Sequence, residues 1–381
     1  MADKPIKILF AGGGTAGHIF PIIAVKRAIS KNYPQDNFKF FYVGPQDDFG
    51  GLLLSQEGIE VKTILAGKIR RYFEFKSFFS NLIDIFLKAP ISFFQALFYN
   101  FILSPDIIFS KGGYGSLPLV LSGWFLLIPI FLHESDAMPG LANKIASKFA
   151  VEIFTSFPIE KTSYFPPKKM IAVGNPIRTE LLGGTKEEAK KVFNLTGEKP
   201  VVLVLGGSQG SQRINDNLLL VLAETLESFE IIHQTGKNNF QQVEAEAKVV
   251  ASEKLRKYYH PIPFLQEEEL RQALAVSELV VSRAGSGSIF EIAATGKPSI
   301  LIPIPESAQD HQVKNAYLYA EKGAALVIEE SNLTPHFFLE RTKFLFSQEG
   351  RLKEMSENAR YFSKTQSAQI IAEYLVTYLS Q

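Results

Sequence analysis

The sequence contains no cysteine in its 381 residues. Disulfides, thiolate metal sites and a cysteine nucleophile are therefore excluded, and the composition suits a reducing compartment. Neither sign of charge is in excess, because 40 lysine and arginine residues stand against 39 aspartate and glutamate residues. This balance leaves no long basic face, so we expect no nucleic-acid partner, and a charged ligand has to be met by a local group of residues.

The sequence also lacks an uninterrupted apolar run of the roughly 20 residues that a membrane-spanning helix needs. Pro118, Gly123 and Pro129 divide the run at 117–132, which predicts a buried helix followed by a buried strand. The phenylalanine-rich segment at 69–104 contains six charged residues and is predicted not to span. Because no signal peptide is recognisable, we expect a cytoplasmic protein.

What the sequence does contain is an alternation of short β-branched or aromatic runs with helical patterns. The predicted strands lie at 6–11, 38–43, 61–65, 106–110, 130–133, 152–155 and 171–173, and then at 201–205, 230–234, 279–282, 299–302 and 325–328. This order predicts an α/β protein with two doubly wound parallel sheets. We place one domain at 1–175 and a second at 176–362, with a final helix at about 363–381 that packs back on the first.

Glycine-rich turns follow two predicted strands in each half. Gly12, Gly14 and Gly17 have the G-x-G-x-x-G spacing of a dinucleotide site, but the acidic residue expected at the end of the second strand is missing, since Asp47 and Asp48 come later. A nicotinamide site is therefore not supported, while a purely structural tight turn stays open.

In the second half, a turn at 204–215 offers Ser208, Gln209 and Ser211 as additional donors, which suit a diphosphate at a helix start. Further on, Ser286 begins a helix that carries Glu291. A carboxylate at this place can accept hydrogen bonds from both hydroxyls of a ribose, and a helix-capping role is an equal alternative.

Taken together, seven stretches resemble the MurG family of N-acetylglucosaminyltransferases in family order over almost the whole chain. They are GGGTAGHIFP at 12–21, KGGYGSLP at 111–118, HESDAMPGLAN at 133–143, VGNPIR at 173–178, GGSQGSQRIN at 206–215, SRAGSGSIFEIAATGKPSILIP at 282–303 and DHQVKNA at 310–316.

The resemblance implies the GT-B glycosyltransferase fold, in which two Rossmann-like domains face each other across a cleft. It implies inverting transfer of N-acetylglucosamine from UDP-GlcNAc to the muramoyl 4-hydroxyl of undecaprenyl-diphospho-muramoylpentapeptide (lipid I), which gives lipid II for peptidoglycan. No cofactor is implied. The alternatives are a related transferase acting on another lipid or glycoside, and a sugar-nucleotide-binding module without turnover.

The resemblance also implies which residues bind each substrate. On the donor side, Glu291 would hold the ribose, Phe264 and Leu265 would flank the uracil, and Ser208 would meet the diphosphate. The other donor contacts would be Thr15, Gly17, Asp136, Arg178, Ser286, His311 and Gln312. The acceptor diphosphate would lie on Gly13, Gly14, Thr15, Gly113, Tyr114 and Ser116.

The sequence departs from the family pattern at two places. Ala16 replaces a glycine of the first turn, so the backbone there has to tolerate a Cβ. Asp136 is a carboxylate where relatives carry the amide that would touch the donor sugar.

His18 is the candidate general base for the attacking hydroxyl, since histidine suits proton transfer near neutral pH. Its position at a helix N-terminus disfavours the cationic ring, which keeps the imidazole able to accept a proton. A role limited to binding phosphate or capping the helix remains the alternative. Because the sequence has no Asp-x-Asp pair, we predict that helix N-termini with Ser208, Ser286 and Arg178 stabilise the leaving diphosphate without a metal.

The segment at 67–101 predicts attachment to an anionic membrane surface on the cytoplasmic face of the plasma membrane. It combines phenylalanine with basic residues, namely Phe73, Phe75, Phe78, Phe79, Phe86 and Phe93 with Lys68, Arg70, Arg71, Lys76 and Lys88. The alternative is that these aromatic side chains pack in the core.

Overall fold

The computed structural model describes residues 4–13, 16–67, 84–158, 164–207, 209–305 and 310–380. The chain forms two compact units. Unit 1 consists of Met1–Arg178 with Thr365–Gln381, and unit 2 consists of Thr179–Lys364. The structure thus divides at Arg178 and Lys364, where the sequence analysis placed the divisions at 175 and 362.

Unit 1 contains a seven-stranded parallel sheet in the order β3-β2-β1-β4-β5-β6-β7. Its strands are β1 (Ile6–Ala11), β2 (Phe38–Gly44), β3 (Glu60–Thr63), β4 (Ile107–Ser110), β5 (Ile130–Glu134), β6 (Glu152–Thr155) and β7 (Met170–Ala172). Its described helices are α1 (Ala16–Asn32), α2 (Asp48–Gln56), α3 (Ala89–Leu103, after a π-helical turn at Asp84–Lys88), α4 (Leu117–Phe125), α5 (Leu141–Ala146) and α16 (Ser367–Leu379).

Unit 2 contains a six-stranded parallel sheet in the order β10-β9-β8-β11-β12-β13. Its strands are β8 (Val201–Leu205), β9 (Glu230–Gln234), β10 (Tyr259–Ile262), β11 (Leu279–Ser282), β12 (Ser299–Leu301) and β13 (Ala325–Val327). Its described helices are α6 (Lys186–Val192), α7 (Gln212–Leu220), α8 (Leu222–Ser228), α9 (Phe240–Val250), α10 (Glu253–Arg256), α11 (Glu267–Val276), α12 (Ser286–Ala294), α13 (His311–Ala320), α14 (Pro335–Ser347) and α15 (Arg351–Phe362).

Short 3₁₀ turns complete the described elements. They lie at Gln35–Asn37, Pro167–Lys169, Thr179–Gly183 and Glu330–Asn332.

The strands form where β-branched and aromatic residues run without a polar interruption, because helices cover both faces of a parallel sheet. All five residues of β8 are buried, and so are all four of β4. In unit 1 one core cluster includes Phe10 and Phe109 and the other includes Leu9 and Ile108, so neighbouring residues of one strand serve different clusters. The two faces of the sheet therefore have separate cores.

The sequence analysis missed β10. Its four residues, Tyr259–Ile262, contain Pro261, which argues against a central strand because proline cannot donate to the ladder. In the structure β10 is the edge of the sheet, where it pairs on one side with β9. A missing N–H is tolerated there.

The prediction of a buried helix in the run at 117–132 was wrong for the carboxyl end of that helix. Leu119 and Val120 are buried, but Trp124 and Phe125 at the end of α4 are 54% and 65% exposed. Leu127, which follows, is 88% exposed. The strand part of that prediction, at Ile130, is buried as expected.

Helix α3 buries its polar face and exposes its apolar face. Ser92, Ala96 and Asn100 lie at four-residue intervals and are buried. The Asn100 amide donates to the Ser122 hydroxyl at 2.8 Å and to the Leu119 carbonyl at 3.2 Å, which joins α3 to α4. The opposite face exposes Ile91, Phe94, Phe98, Phe101 and Ile102.

The segment Phe86–Leu103 is long and apolar enough to cross a membrane, by length and composition only. The sequence analysis excluded a span over 69–104 because of its charges. These charges all precede Ala89, which leaves the helix that follows without any.

The chain returns to unit 1 through α16. Ser363–Gln366 separate α15 from this helix, and the Ser367 hydroxyl donates to the Val173 carbonyl at 2.6 Å. Ile371 and Leu375 are fully buried in the core cluster that contains Phe10. The last helix is thus part of the core of unit 1.

Replacing Ile371 with alanine should destabilise unit 1 by about 2–5 kcal/mol, because it removes buried methyl groups and leaves a cavity. The neighbouring Ile370 is 41% exposed, so Ile370→Ala serves as the control, with an expected loss within about 0.5 kcal/mol. Urea unfolding followed by circular dichroism measures both. Equal losses in the two variants would contradict the placement of α16.

Candidate active site

The first glycine turn of unit 1 follows the central strand β1. The Tyr42 hydroxyl donates to the Gly12 carbonyl at 3.2 Å. A Cβ added at Gly13 would lie 3.2 Å from both Cε1 and Nδ1 of His18, in the first turn of α1. Glycine at position 13 therefore lets the imidazole lie directly against the backbone.

The second glycine turn follows β4, which is the neighbour of β1. The Lys111 N–H donates to the Ala11 carbonyl at 2.7 Å and so continues the pairing beyond the two strands. Gly113 has φ +84°, and a Cβ there would lie 2.8 Å from the Gly13 Cα and 3.1 Å from the His18 Nε2. The two turns and His18 thus meet at one corner of the sheet, which we call the glycine corner (Gly12, Gly13, His18, Gly112 and Gly113).

The structure places the predicted acceptor residues of unit 1 in different roles. Tyr114, at the tip of the second turn, is 37% exposed. Ser116 is fully buried, and its hydroxyl donates to the Gly113 carbonyl at 2.9 Å, so it supports the turn from inside. Gly17 is exposed in the first turn of α1, and Gly14 and Thr15 lie outside the described residues.

Arg178, the last residue of unit 1, lies against α1. It is 5% exposed, and its guanidinium carbon is 3.9 Å from the centre of the Phe20 ring. Stacking of this kind holds the planar cation in place while it keeps its charge. The predicted donor-side arginine therefore contacts α1 at Phe20, which follows His18 by two positions in the chain.

A buried polar network lies directly behind the glycine corner. The Lys111 ammonium is 2.6 Å from the His133 Nδ1, contacts the Ser135 hydroxyl, and is 3.4 Å from the Asn175 Oδ1. The His133 Nε2 is 3.0 Å from the Gly174 carbonyl, which can only accept, so Nε2 carries the proton and Nδ1 accepts from Lys111. Burial, followed by the charge of Lys111, holds the pKa of His133 well below its usual value, so this ring is neutral.

Glu134 is the carboxylate of this network and is 4% exposed. Its Oε1 accepts the Asp136 N–H at 3.0 Å, and its Oε2 accepts the Asn143 amide at 2.9 Å. Burial and the charge of Asp136 raise the pKa of Glu134 to about 7. Asp136 itself, predicted as a donor contact, is half-buried in the loop after β5.

The sequence analysis quoted Lys111, His133, Glu134, Asn143 and Asn175 only as parts of motifs and did not assign them to the site. Their positions at or directly after the ends of buried strands could have identified them. Adjacent parallel strands end at one edge of the sheet, so polar residues at these ends lie close together.

Unit 2 repeats the strand, glycine turn and helix arrangement at β8. Gly207 and Gly210 have positive φ values, and the Ser211 side chain caps α7 by accepting the Ile214 N–H. Gln234, the last residue of β9, donates to the Gly207 carbonyl at 2.8 Å and accepts the Leu265 N–H at 3.0 Å. Gln234 therefore ties this turn to the loop that carries Phe264. Ser208, the predicted diphosphate contact, lies outside the described residues.

Only one of the two residues predicted to flank a uracil presents its side chain on that loop. The Lys237 ammonium lies 5.7 Å from the centre of the half-buried Phe264 ring. Leu265 is 3% exposed and packs in a core cluster with Ile232 and Leu274. Burial at this position removes its apolar side chain from water, which is favourable. The side chain of Leu265 therefore lies in the core of unit 2, and its predicted place beside the uracil stays a prediction.

The remaining donor residues lie at the starts of α12 and α13. Ser286 is the first residue of α12 and is buried, and Glu291 lies five residues further and is half-buried. His311 is the first residue of α13, and the Gln312 Oε1 accepts the Ile304 N–H at 3.1 Å. The Asn315 amide donates to the Ala284 carbonyl at 3.4 Å, which keeps α13 next to the loop after β11.

Arg283 holds this edge of unit 2 together and was not singled out in the sequence. It is 8% exposed, donates to the Ser211 hydroxyl at 2.6 Å and to the Ile302 carbonyl at 3.2 Å, and forms an ion pair with Glu330. One guanidinium thus joins the ends of β11 and β12 to the cap of α7.

Each unit therefore collects glycine turns, helix starts and polar side chains at the carboxyl edge of its sheet, which is where open α/β sheets bind phosphorylated ligands. Two parallel-sheet units with these features have the architecture of the GT-B fold. Two family models match the chain, the glycosyltransferase family 28 N-terminal domain over residues 8–155 and the glycosyltransferase family 28 C-terminal domain over residues 201–374.

Relatives of known name match most of the chain. A Bacillus cereus protein named UDP-N-acetylglucosamine--N-acetylmuramyl-(pentapeptide) pyrophosphoryl-undecaprenol N-acetylglucosamine transferase 2 is 35% identical over 333 residues, 86% of this chain and 88% of that protein. A Treponema denticola protein of the same name without the number is 33% identical over 393 residues, 98% of each chain. The crystal structure of Acinetobacter baumannii MurG matches 98% of this chain and 100% of its own with a TM-score of 0.73 and 24% identity.

The chain belongs to glycosyltransferase family 28 and, within it, to the MurG family.

Replacing Gly113 with alanine should destabilise the protein by about 1–2 kcal/mol from the left-handed backbone alone, and by more through the clash with Gly13. Gly140→Ala is the control, because φ is −62° and nothing lies within 4 Å of an added Cβ. Urea unfolding of both variants is the measurement. An unchanged midpoint for Gly113→Ala would show that the two turns do not approach as described.

Proposed function

We propose that this chain transfers N-acetylglucosamine from UDP-GlcNAc to the muramoyl 4-hydroxyl of lipid I, with inversion at the anomeric carbon, and so forms lipid II for peptidoglycan. The observation that carries the proposal is family membership over both units, combined with a histidine at the point where two glycine turns meet. The names of the Bacillus cereus and Treponema denticola relatives support this donor and acceptor.

The acceptor diphosphate is proposed to bind at the glycine corner. Gly13 and Gly113 have no Cβ, so a phosphate can approach their backbone closely, and the start of α1 adds backbone N–H groups and the positive end of its dipole. Tyr114 is the exposed side chain next to this position. Ser116 acts from behind, since its hydroxyl is used to hold Gly113.

His18 is proposed as the general base. Its ring contacts both glycine turns, so it would lie beside the sugar whose diphosphate those turns hold. Taking the proton of the 4-hydroxyl as the oxygen attacks makes the nucleophile stronger without forming a free alkoxide. The proton then resides on the imidazole.

The donor is proposed to bind at the carboxyl edge of the sheet in unit 2. Phe264 would stack on the uracil, Glu291 would accept hydrogen bonds from the ribose hydroxyls, and Gln312 would reach the sugar. The leaving diphosphate gains negative charge as the bond breaks. The N-terminus of α7 and the Ser286 region of α12 would stabilise that charge with oriented N–H groups.

Replacing His18 with alanine should lower kcat by about 10²–10⁴-fold, because the 4-hydroxyl loses its proton acceptor. The exposed His336 of α14 provides the matched control, with turnover of His336→Ala equal to the unaltered protein. The measurement is transfer of radiolabel from UDP-GlcNAc to lipid I. Near-normal turnover of His18→Ala would remove it as the base, and no transfer by the unaltered protein would refute the function itself.

We also propose that unit 1 attaches to the cytoplasmic face of the plasma membrane through an apolar surface, defined by Ile91, Phe94, Phe98, Phe101 and Ile102 of α3 with Trp124, Phe125 and Leu127 after it. A group of eight exposed large apolar side chains is unusual on a protein surface that contacts only water. The acceptor is a membrane lipid, which supplies a reason for the surface.

The supporting observation is the reversed orientation of α3. A helix that packed only for stability would bury phenylalanine, whereas α3 buries Ser92, Ala96 and Asn100. Of the two described phenylalanines named in the sequence analysis, Phe86 is 70% exposed and Phe93 is half-buried. Lys88 forms an ion pair with Asp84 at 2.6 Å, and the other named residues lie outside the described part of the chain.

The double variant Phe98→Ser and Phe101→Ser should bind vesicles of phosphatidylglycerol at least about tenfold more weakly, because two apolar side chains no longer enter the interface. Phe344→Ser, at a 47% exposed phenylalanine of unit 2, is the control. Cosedimentation measures the bound fraction. Equal binding by both variants and the unaltered protein would exclude this surface.

A further inference from the structure

His233 places an imidazole in the interior of unit 2, and the transfer chemistry described above does not use it. The residue is the fourth of β9 and is fully buried. Burial lowers the pKa of His233 to about 3, so the ring is neutral near neutral pH. A neutral imidazole has one donor and one acceptor nitrogen, so the groups around it determine which nitrogen carries the proton.

Two side chains contact this ring, one at each nitrogen. The His233 Nδ1 is 2.8 Å from the hydroxyl of Tyr259, the first residue of β10. The His233 Nε2 is 3.0 Å from the Oδ1 of Asn215, which is fully buried in α7. The imidazole on β9 therefore joins the edge strand of the sheet to this helix.

A backbone carbonyl fixes the direction of these hydrogen bonds. The Asn215 amide nitrogen donates to the Thr235 carbonyl at 3.0 Å, and a carbonyl can only accept. The Asn215 Oδ1 is thus the atom that faces the ring, and it accepts a hydrogen bond. His233 therefore carries its proton on Nε2, and its Nδ1 accepts from the Tyr259 hydroxyl.

The segment with this carbonyl packs against the glycine turn that follows β8. Gly210 has φ +78°, and a Cβ there would lie 2.7 Å from the Gly236 Cα. The turn and the segment after β9 thus approach without room for a side chain. The Asn215 N–H donates to the Ser211 carbonyl at 2.9 Å, so the residue that bonds to Thr235 belongs to the first turn of α7.

We propose that His233 is a positioning residue of the donor site, whose Nε2–H holds the Asn215 amide so that the first turn of α7 keeps its place beside Gly210. The inference rests on the proposed function, which binds the donor diphosphate at the start of α7. Because His233 is fully buried, it does not contact the donor itself. It acts through the geometry of the helix start, and so on donor binding rather than on the chemical step.

Two substitutions at this position separate the roles of the two ring nitrogens. His233→Asn ends near the place of Nδ1, so the Asn215 Oδ1 loses its donor. His233→Gln is longer, reaches the place of Nε2 and offers an amide N–H there. We expect His233→Asn to bind UDP about tenfold more weakly, because a buried acceptor is left unsatisfied, and His233→Gln to stay within about threefold of the unaltered protein.

Isothermal titration calorimetry with UDP measures the affinity, and thermal unfolding measures the stability of each variant. His336→Asn, at the exposed histidine of α14, is the matched control and should equal the unaltered protein. In transfer kinetics, the loss in His233→Asn should appear in the KM for UDP-GlcNAc rather than in kcat. The informative readout is rescue by His233→Gln, since both variants remove the ring from the core and a packing role would impair UDP binding in both.

Normal UDP affinity of His233→Asn would overturn the proposal, and so would a His233→Gln variant as impaired as His233→Asn. The position of the proton is a separate measurement, made by ¹⁵N NMR of the unaltered protein with labelled histidine. The signals of His233 are those that His233→Gln lacks. A proton on Nδ1 would overturn the proposal.

If His233→Asn does not fold, a proton on Nε2 together with near-normal UDP affinity of His233→Gln supports the proposal. A His233→Gln variant that is unfolded or does not bind UDP overturns it. If the unaltered protein binds UDP but transfers no sugar to lipid I, the proposed function fails and the UDP affinities still decide this inference. If the unaltered protein does not bind UDP, both fail.

Discussion

The close approach of two glycine turns at the carboxyl ends of β1 and β4 is the constraint on which the rest of unit 1 depends. Gly113 has a left-handed backbone, and no Cβ could stand between its Cα and that of Gly13. This lack of side chains leaves the space in which the imidazole of His18 lies against both turns. Because β1 and β4 are neighbours in a parallel sheet, their ends meet without further adjustment, and α1 then begins at the same corner.

The corner is supported from behind by polar groups rather than by apolar packing. Lys111 and Glu134 are ionisable groups in buried positions, where each forms several hydrogen bonds. Such a network costs desolvation, but it specifies geometry more strictly than a set of leucines would. Unit 2 has a similar arrangement around Arg283, which donates hydrogen bonds to the Ser211 cap of α7 and to the Ile302 carbonyl after β12. In both units, a buried cation fixes the loops that carry the proposed ligand contacts.

The exposed face of α3 in unit 1 is apolar, in contrast to its buried face. Helix α3 is joined to α4 through Asn100, and its phenylalanines face outward. The prediction used the phenylalanines and the charges of the whole segment. Composition does not indicate which face of the helix is buried. The Asn100 amide N–H groups donate to α4, so this side of α3 faces inward and the phenylalanines on the opposite side face outward.

The sequence by itself determined the parallel α/β character, the approximate positions of twelve strands, the glycine turns with His18, and the family, because alternating runs and glycine spacing are local signals. It missed β10, since a proline in a strand is acceptable only at an edge, and the order of strands is a tertiary property. Tertiary structure alone decided that Leu265 belongs to a core, that Ser116 supports a turn from inside, and that Lys111 meets Ser135 and Asn175. The Lys111 contacts join residues far apart in the chain, because the strands that end side by side determine which partners a buried polar group meets.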